Sequence, residues 1–219
     1  MFVRSPEKGR VKTRLTAVLD EETVLELYRR FVADLLETLS CGSFGLRICF
    51  YPAEAKSKVA DWLGEEYAYM AQEGRDLGER LENAFTSAFS DGFRKVVIIG
   101  SDSPDLPGEI LEEAVSSLAS KDAVIGPAVD GGYYLIGFNS GGFLREVFTG
   151  MDWGTAAVFK RTLDLLSSHG CNVHLLPRWR DIDTYQDVVA FMNKHELTPA
   201  GRLLTLDYLR ACEKMRRDE

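Results

Sequence analysis

The run Arg4-Ser5-Pro6-Glu7-Lys8-Gly9-Arg10-Val11-Lys12-Thr13-Arg14 places five cations, one proline and one glycine in a single stretch. It follows the apolar stub Phe2-Val3 and leads toward a helix. Lysine and arginine beside exposed backbone N–H groups suit a di- or triphosphate. The glycine spacing and the Gly-Lys-Ser/Thr ending of a Walker A loop are missing. A solvated basic turn would have the same composition, so both readings stay open.

Carboxylates follow two other apolar runs. Val96-Val97-Ile98-Ile99 leads through Gly100-Ser101 to Asp102, and Leu175-Leu176 leads through Pro177-Arg178-Trp179-Arg180 to Asp181-Ile182-Asp183. Aspartates two apart on an extended chain point the same way. With Asp102 they could hold one Mg²⁺ or Mn²⁺, since hard divalent cations take oxygen donors. The competing reading is local: a turn aspartate before Pro104, and Asp183 or Thr184 as a helix cap. Asp130-Gly131-Gly132, between two strands, is a strong turn signal and also lets backbone approach a ligand closely. Gln72-Glu73-Gly74-Arg75-Asp76-Leu77-Gly78-Glu79-Arg80 enters a helix with amides free for a phosphate or base. Trp153 could lie over a sugar or base, or pack beside the helix it precedes.

The elements that must position these residues alternate. Helical spacing marks Val24 to Leu39, after the capping run Asp20-Glu21-Glu22. Helices are also expected over Ala53–Leu63, from Leu77 to Phe89, from Pro107 to Leu118, over Thr155–Ser168, over Tyr185–Met192, and from Arg202 to Met215. Strands are expected at Leu46–Tyr51, Tyr67–Ala71, Val96–Ile99, Ala123–Ile125, Tyr133–Phe138 and Val173–Leu176. This order implies an α/β fold whose central sheet is mostly parallel and covered by helices on both faces. Ligands of such sheets sit beyond the carboxyl ends of the strands. The basic loop and the aspartates therefore fall where a site belongs.

Composition narrows the partners. The 219 residues carry 34 acidic and 26 basic side chains, for a net charge of −8. A dedicated polynucleotide binder usually presents a basic face, so none is expected here. No apolar run reaches the ~20 residues of a membrane span, and MFVRSPEKGR has no apolar core for a signal peptide. Cys41, Cys49, Cys171 and Cys212 form no CxxC pair and read as free thiols of a reducing cytoplasm. His169, His174 and His195 are scattered and receive no catalytic role. His169 precedes a glycine at a helix end, where a cation suits the helix dipole.

The ordered set of motifs resembles one family. It runs Phe-x-Arg-x-Pro-x-x-Gly-x-Val-Lys-Thr-Arg-Leu, Gln-x-Gly-x-x-Leu-Gly-x-Arg, Gly-x-Asp-x-Pro-x-Leu, then Gly-Pro-Ala-x-Asp-Gly-Gly-Tyr-Tyr-Leu-Ile-Gly, Trp153 and Asp-Ile-Asp-Thr-x-x-Asp. The series is similar to a bacterial glycosyltransferase-A-like family of the nucleotide-diphospho-sugar transferase superfamily. It resembles more distantly phospholactate guanylyltransferase and the molybdenum-cofactor nucleotidyltransferases.

The resemblance implies a single GT-A, Rossmann-like three-layer α/β/α domain over residues 1–219, with 198–219 as a helical tail. It implies Arg4, Pro6, Gly9, Lys12, Arg14 and Gly78 against nucleotide phosphates, with Lys12 and Asp102 catalytic. It implies Asp102, Asp183 and Asp181 around Mg²⁺ or Mn²⁺, and Asp130, Gly131, Gly132 and Trp153 toward the acceptor or sugar. Two departures stand out. Arg4 stands where relatives usually carry lysine. Three residues precede it where relatives carry a full first strand, so a shortened or late-starting first strand is expected.

The chemistry implied is metal-dependent transfer from a nucleotide-diphospho-sugar to a small-molecule acceptor. One alternative is nucleotidyl transfer from a nucleoside triphosphate to a phosphorylated acceptor, with pyrophosphate release. Another is a non-catalytic nucleotide-sugar-binding accessory protein. No Ser-His or Cys-His arrangement suggests a covalent intermediate.

Overall fold

The computed structural model describes residues 1–197 and 202–218. The strands are β1 (Phe2–Arg4), β2 (Arg47–Tyr51), β3 (Ala68–Ala71), β4 (Lys95–Ile99), β5 (Ala123–Pro127), β6 (Tyr133–Asn139) and β7 (Val173–Leu175). The helices are α1 (Glu21–Ser40), α2 (Lys56–Leu63), α3 (Leu77–Ser90), α4 (Gly108–Ser117), α5 (Val158–Ser168), α6 (Tyr185–Leu197) and α7 (Leu204–Asp218). The expected C-terminal tail begins on residues 198–201, outside the described residues; beyond them α7 packs on α1.

Local chemistry explains the boundaries. The Asp20 carboxylate accepts from the Thr23 N–H and Asp76 accepts from the Glu79 N–H, each capping the helix that follows. His169 ends α5, with its Nδ1 2.9 Å from the Leu165 carbonyl oxygen. α5 starts at Val158, not Thr155, because residues 155–157 are taken up in turns.

Two sheets form where one was expected. β1-β2-β3 is wholly parallel, and β4-β6-β5-β7 is mixed. Within the second, β5 and β7 are parallel, while β6 is antiparallel to both β4 and β5. The reversal follows from a short turn that joins β5 to β6 as a hairpin. Every other pairing is parallel. The short β1 pairs only with β2 among the described residues.

Side chains nevertheless join the two sheets into one three-layer body. On one face Val3, Phe50, Ile99 and Leu135 share a buried cluster with α1 and α4. On the other, Phe2, Cys49, Ile98 and Ile136 share a cluster with α3 and Leu166 of α5. Alternate residues of each strand thus feed opposite layers. A third cluster packs Leu27 and Phe31 of α1 against α6 and α7. Residues at or after the carboxyl ends of β1, β2, β3, β4, β5 and β7 gather at one edge.

Candidate active site

At that edge lies a cleft of about 570 Å³. Arg4, Arg10, Lys12 and Arg14 of the basic loop line it together with Asp102, Asp130, Asp181 and Asp183. The two halves expected from distant parts of the chain therefore meet.

Lys12 is the junction. Its ammonium lies 2.7 Å from Asp102 Oδ1 and 2.6 Å from Asp183 Oδ1, and its side chain is only 6% exposed. Burial alone would lower its pKa, but the two carboxylates outweigh that and hold it above the ordinary lysine value. The backbone at Lys12 is left-handed, with φ +47. A side chain at such a φ costs ~1–3 kcal/mol and persists only where its surroundings fix it. Here two ion pairs fix it.

The aspartate loops are tied together as well. The Ile182 N–H donates to the Asp102 carbonyl at 2.8 Å. Thr184 and Asp187 cap α6 reciprocally: Asp187 Oδ2 accepts from the Thr184 N–H, and Thr184 Oγ1 accepts from the Asp187 N–H. The Asp183 carboxylate is thereby left to face Lys12. Asp181 turns elsewhere and accepts from Ser103 Oγ at 2.6 Å. Burial, reinforced by Asp102 and Asp130 and opposed by Ser103 and Lys12, pushes its pKa up to about 7. The Tyr28 hydroxyl accepts from the Arg4 N–H at 2.8 Å and lies 3.4 Å from Ser101 Oγ. Burial raises that phenol to about 12.

Three guanidiniums at the cleft, those of Arg4, Arg14 and Arg80, have no carboxylate partner among the described residues. Arg80 lies 3.9 Å over the Tyr51 ring, with Arg4 at 5.7 Å, and its Nε donates to the Gly74 carbonyl. Arg80 stands at the end of the Gln72–Arg80 motif, whose sequence assigns it no role. Its position in the first turn of α3, after a β3 loop, was the available signal. Gln72 is also in the cleft wall, buried and donating to the Val3 and Cys49 carbonyls.

Several expected contacts lie away from the cleft lining. Pro6 is buried, and Gly9 shapes an exposed turn at φ +68. A Cβ at Gly78 would stand 2.3 Å from the Phe148 carbonyl oxygen, so helix packing accounts for that glycine. Gly131, at φ +95, brings its backbone against Ala156, where a Cβ would meet the carbonyl oxygen at 2.3 Å. Gly132 donates its N–H to Asp130 Oδ1 within the turn. Trp153 packs edge-on against Tyr133 at 6.3 Å between ring centres. Turn and packing chemistry accounts for these residues, while Asp130 itself faces the cleft.

The donor set bears on a metal. Asp102 and Asp183 converge on one cation-sized point, because a single ammonium touches both. Among the described residues, no group of three or more His, Cys, Asp or Glu side chains is arranged to hold an ion. Two of the three expected carboxylates thus meet at one point, while Asp181 lines the same cleft and accepts from Ser103. Two carboxylates do fit Mg²⁺ or Mn²⁺ when phosphate oxygens and water complete the shell.

Fold and cleft together define a GT-A-like α/β protein whose ligand edge combines guanidiniums with a carboxylate pair. The chain belongs to the DUF2064 family, described as uncharacterised proteins conserved in bacteria, whose pattern matches residues 35–155. A Desulfovibrio desulfuricans protein provisionally named a nucleotide-diphospho-sugar transferase superposes with a TM-score of 0.94 at 41% identity, over 99% of this chain and 95% of that one. A 4-diphosphocytidyl-2C-methyl-D-erythritol synthase from Anaerococcus prevotii shares the fold, with a TM-score of 0.56 at 12% identity, over 78% of this chain and 86% of that one. So does Rv0371c of Mycobacterium tuberculosis, in a manganese complex, with a TM-score of 0.53 at 15% identity, over 88% of this chain and 96% of that one. No curated protein matches the chain.

Proposed function

We propose that this protein is a metal-dependent transferase that moves a sugar from a nucleotide-diphospho-sugar to a small-molecule acceptor. One observation carries the reading: guanidiniums without carboxylate partners among the described residues share a cleft with a carboxylate pair gathered on one cation. That combination suits a diphosphate entering with a divalent ion. The name of the 41%-identical Desulfovibrio desulfuricans protein supports the substrate class.

In the proposed reaction an acceptor oxygen bonds to the sugar's anomeric carbon. The bond from that carbon to the diphosphate oxygen breaks, and the nucleoside diphosphate leaves with the electron pair. The acceptor's proton passes to a base. Arg4, Arg14 and Arg80 grip the diphosphate and neutralise its growing charge. Asp102 and Asp183 would hold Mg²⁺ or Mn²⁺, which would supply positive charge at the leaving diphosphate. Lys12, displaced from the two carboxylates, would turn to phosphate oxygens. Asp130, exposed at the cleft, faces the acceptor side. The chain works as a single domain over residues 1–219, with 198–219 as its tail, and acts in a reducing cytoplasm, in keeping with its free cysteines. No described helix is long and apolar enough to cross a membrane.

The test is a product assay. The protein is incubated with nucleotide-sugars and with nucleoside triphosphates, Mg²⁺ or Mn²⁺, and a pool of acceptors. Release of a nucleoside diphosphate that depends on acceptor supports sugar transfer. Pyrophosphate release would replace it with nucleotidyl transfer. Binding with neither product would make the protein a non-catalytic binder.

A further inference from the structure

A second cluster of charged groups lies outside the cleft lining, and the proposed reaction does not use it. The Asp105 side chain is only 6% exposed. Its Oδ1 accepts from Trp179 Nε1 at 2.9 Å. Its Oδ2 accepts from Lys194 Nζ at 2.6 Å and lies 3.0 Å from Nε2 of His195, which is itself buried. The Lys194 ammonium also rests 3.9 Å over the Trp179 ring. The His195 ring packs against Phe191 at 4.6 Å, and its other nitrogen has no partner among the described residues.

These residues belong to the segments that carry the cleft carboxylates. Asp105 follows Asp102 in the loop after β4, and Trp179 precedes Asp181 and Asp183 in the loop after β7. Lys194 and His195 close the helix that Thr184 and Asp187 open beside Asp183. Trp179 also reaches the β5–β6 turn: its N–H donates to the Pro127 carbonyl, and its carbonyl accepts from the Val129 N–H, next to Asp130. One buried carboxylate thus links the loop of Asp102 to both ends of the Asp183 segment.

We propose that Asp105 is a positioning residue that sets the separation of Asp102 and Asp183 through Trp179 and His195. A carboxylate accepts several donors at once, whereas an amide oxygen at the same place would leave a donor unmatched and present an N–H to another. Small shifts of supporting groups typically weaken metal binding by roughly 10–100-fold. The proposal rests on the metal–diphosphate reading of the cleft.

The experiment measures equilibrium binding of a nucleoside diphosphate, with and without Mn²⁺, to wild type, Asp105→Asn and Trp179→Phe, well below each protein's melting temperature. The Phe variant keeps an aromatic ring under Lys194 and removes the indole donor, so it serves if Asp105→Asn does not fold. The expected result is a loss of at least roughly 10-fold in the Mn²⁺-dependent part of the affinity, with metal-free binding through the arginines unchanged. Folded variants that keep the wild-type Mn²⁺ enhancement would overturn the proposal, whatever their melting temperatures. Equal losses with and without Mn²⁺ would also overturn it. A wild type without any Mn²⁺ enhancement would instead refute the metal–diphosphate reading.

Discussion

Replacing Lys12 by methionine removes the ammonium between Asp102 and Asp183 and keeps a side chain of similar length. Both residues carry a Cβ, so the strain of φ +47 is common to wild type and variant, and the comparison reads charge. Breaking a fully buried pair costs about 3–5 kcal/mol. Lys12 is 6% exposed, but Asp102 and Asp183 retain 40% and 38%, so water solvates the carboxylates left behind. The discounted cost is about 1–3 kcal/mol. For a chain of this size each kcal/mol moves the melting temperature by roughly 2–4 °C, so a fall of about 2–12 °C is expected in metal-free buffer. The freed carboxylates should also take Mn²⁺ without any nucleotide, recovering part of the loss as a ligand bound to the native state does. The assay is thermal unfolding with and without Mn²⁺, alongside a Mn²⁺ titration read by electron paramagnetic resonance. A variant that melts with wild type and binds Mn²⁺ no better would refute the idea that Lys12 fills the cation position between the two aspartates.

Other outcomes follow from the same geometry. Asp181 has its pKa raised to about 7, above the unfolded value near 4, so the native state holds its proton more tightly. Its effect is therefore neutral below about pH 4, and stability is lost as pH rises toward 7. Asp181→Asn, which imitates the protonated acid, should stabilise by up to about 4 kcal/mol at pH 8 and change little at pH 4, as melting curves across pH will show. Gly131→Ala sets a Cβ at φ +95 against the Ala156 carbonyl, and should cost about 1–3 kcal/mol or more in chemical denaturation. Arg14→Ala, at an exposed guanidinium without a carboxylate partner among the described residues, should weaken nucleoside diphosphate binding by about 1.5–3 kcal/mol while leaving the melting temperature within about 1 °C. Calorimetric titration checks that pair of values.

Much of the fold was legible because its signals are local. Asp20 and Asp76 each cap the helix that follows them, and the apolar periodicity of α1 and α3 marks the faces they bury. The hairpin that reverses β6 was visible as Asp-Gly-Gly, but direction within the sheet is a matter of pairing, which one strand's pattern does not carry. At the cleft, Lys12, Asp102 and Asp183 were legible because each follows an apolar strand run. Their direct contact was not, since residues 12 and 183 meet only through the folded chain. Glycine misled the reading in a consistent way. Gly78 and Gly131 signal close backbone approach, and sequence does not say whether a ligand or another loop approaches. Here it is the Phe148 carbonyl and Ala156. The Asp105–Trp179–His195 cluster joins residues 74 and 90 positions apart, and no spacing rule connects them.

The central claim is that Asp102 and Asp183 hold a divalent cation that a nucleoside diphosphate completes, while the arginines hold the phosphates. Its most direct test is calorimetric titration of a nucleoside diphosphate into wild type and Asp102→Asn, each with and without Mn²⁺. The account predicts tight binding to wild type with Mn²⁺, weaker binding without it, and a variant that binds equally weakly in both conditions. An Asp102→Asn protein that keeps the full Mn²⁺ enhancement, or a wild type that binds no nucleotide at all, would contradict it.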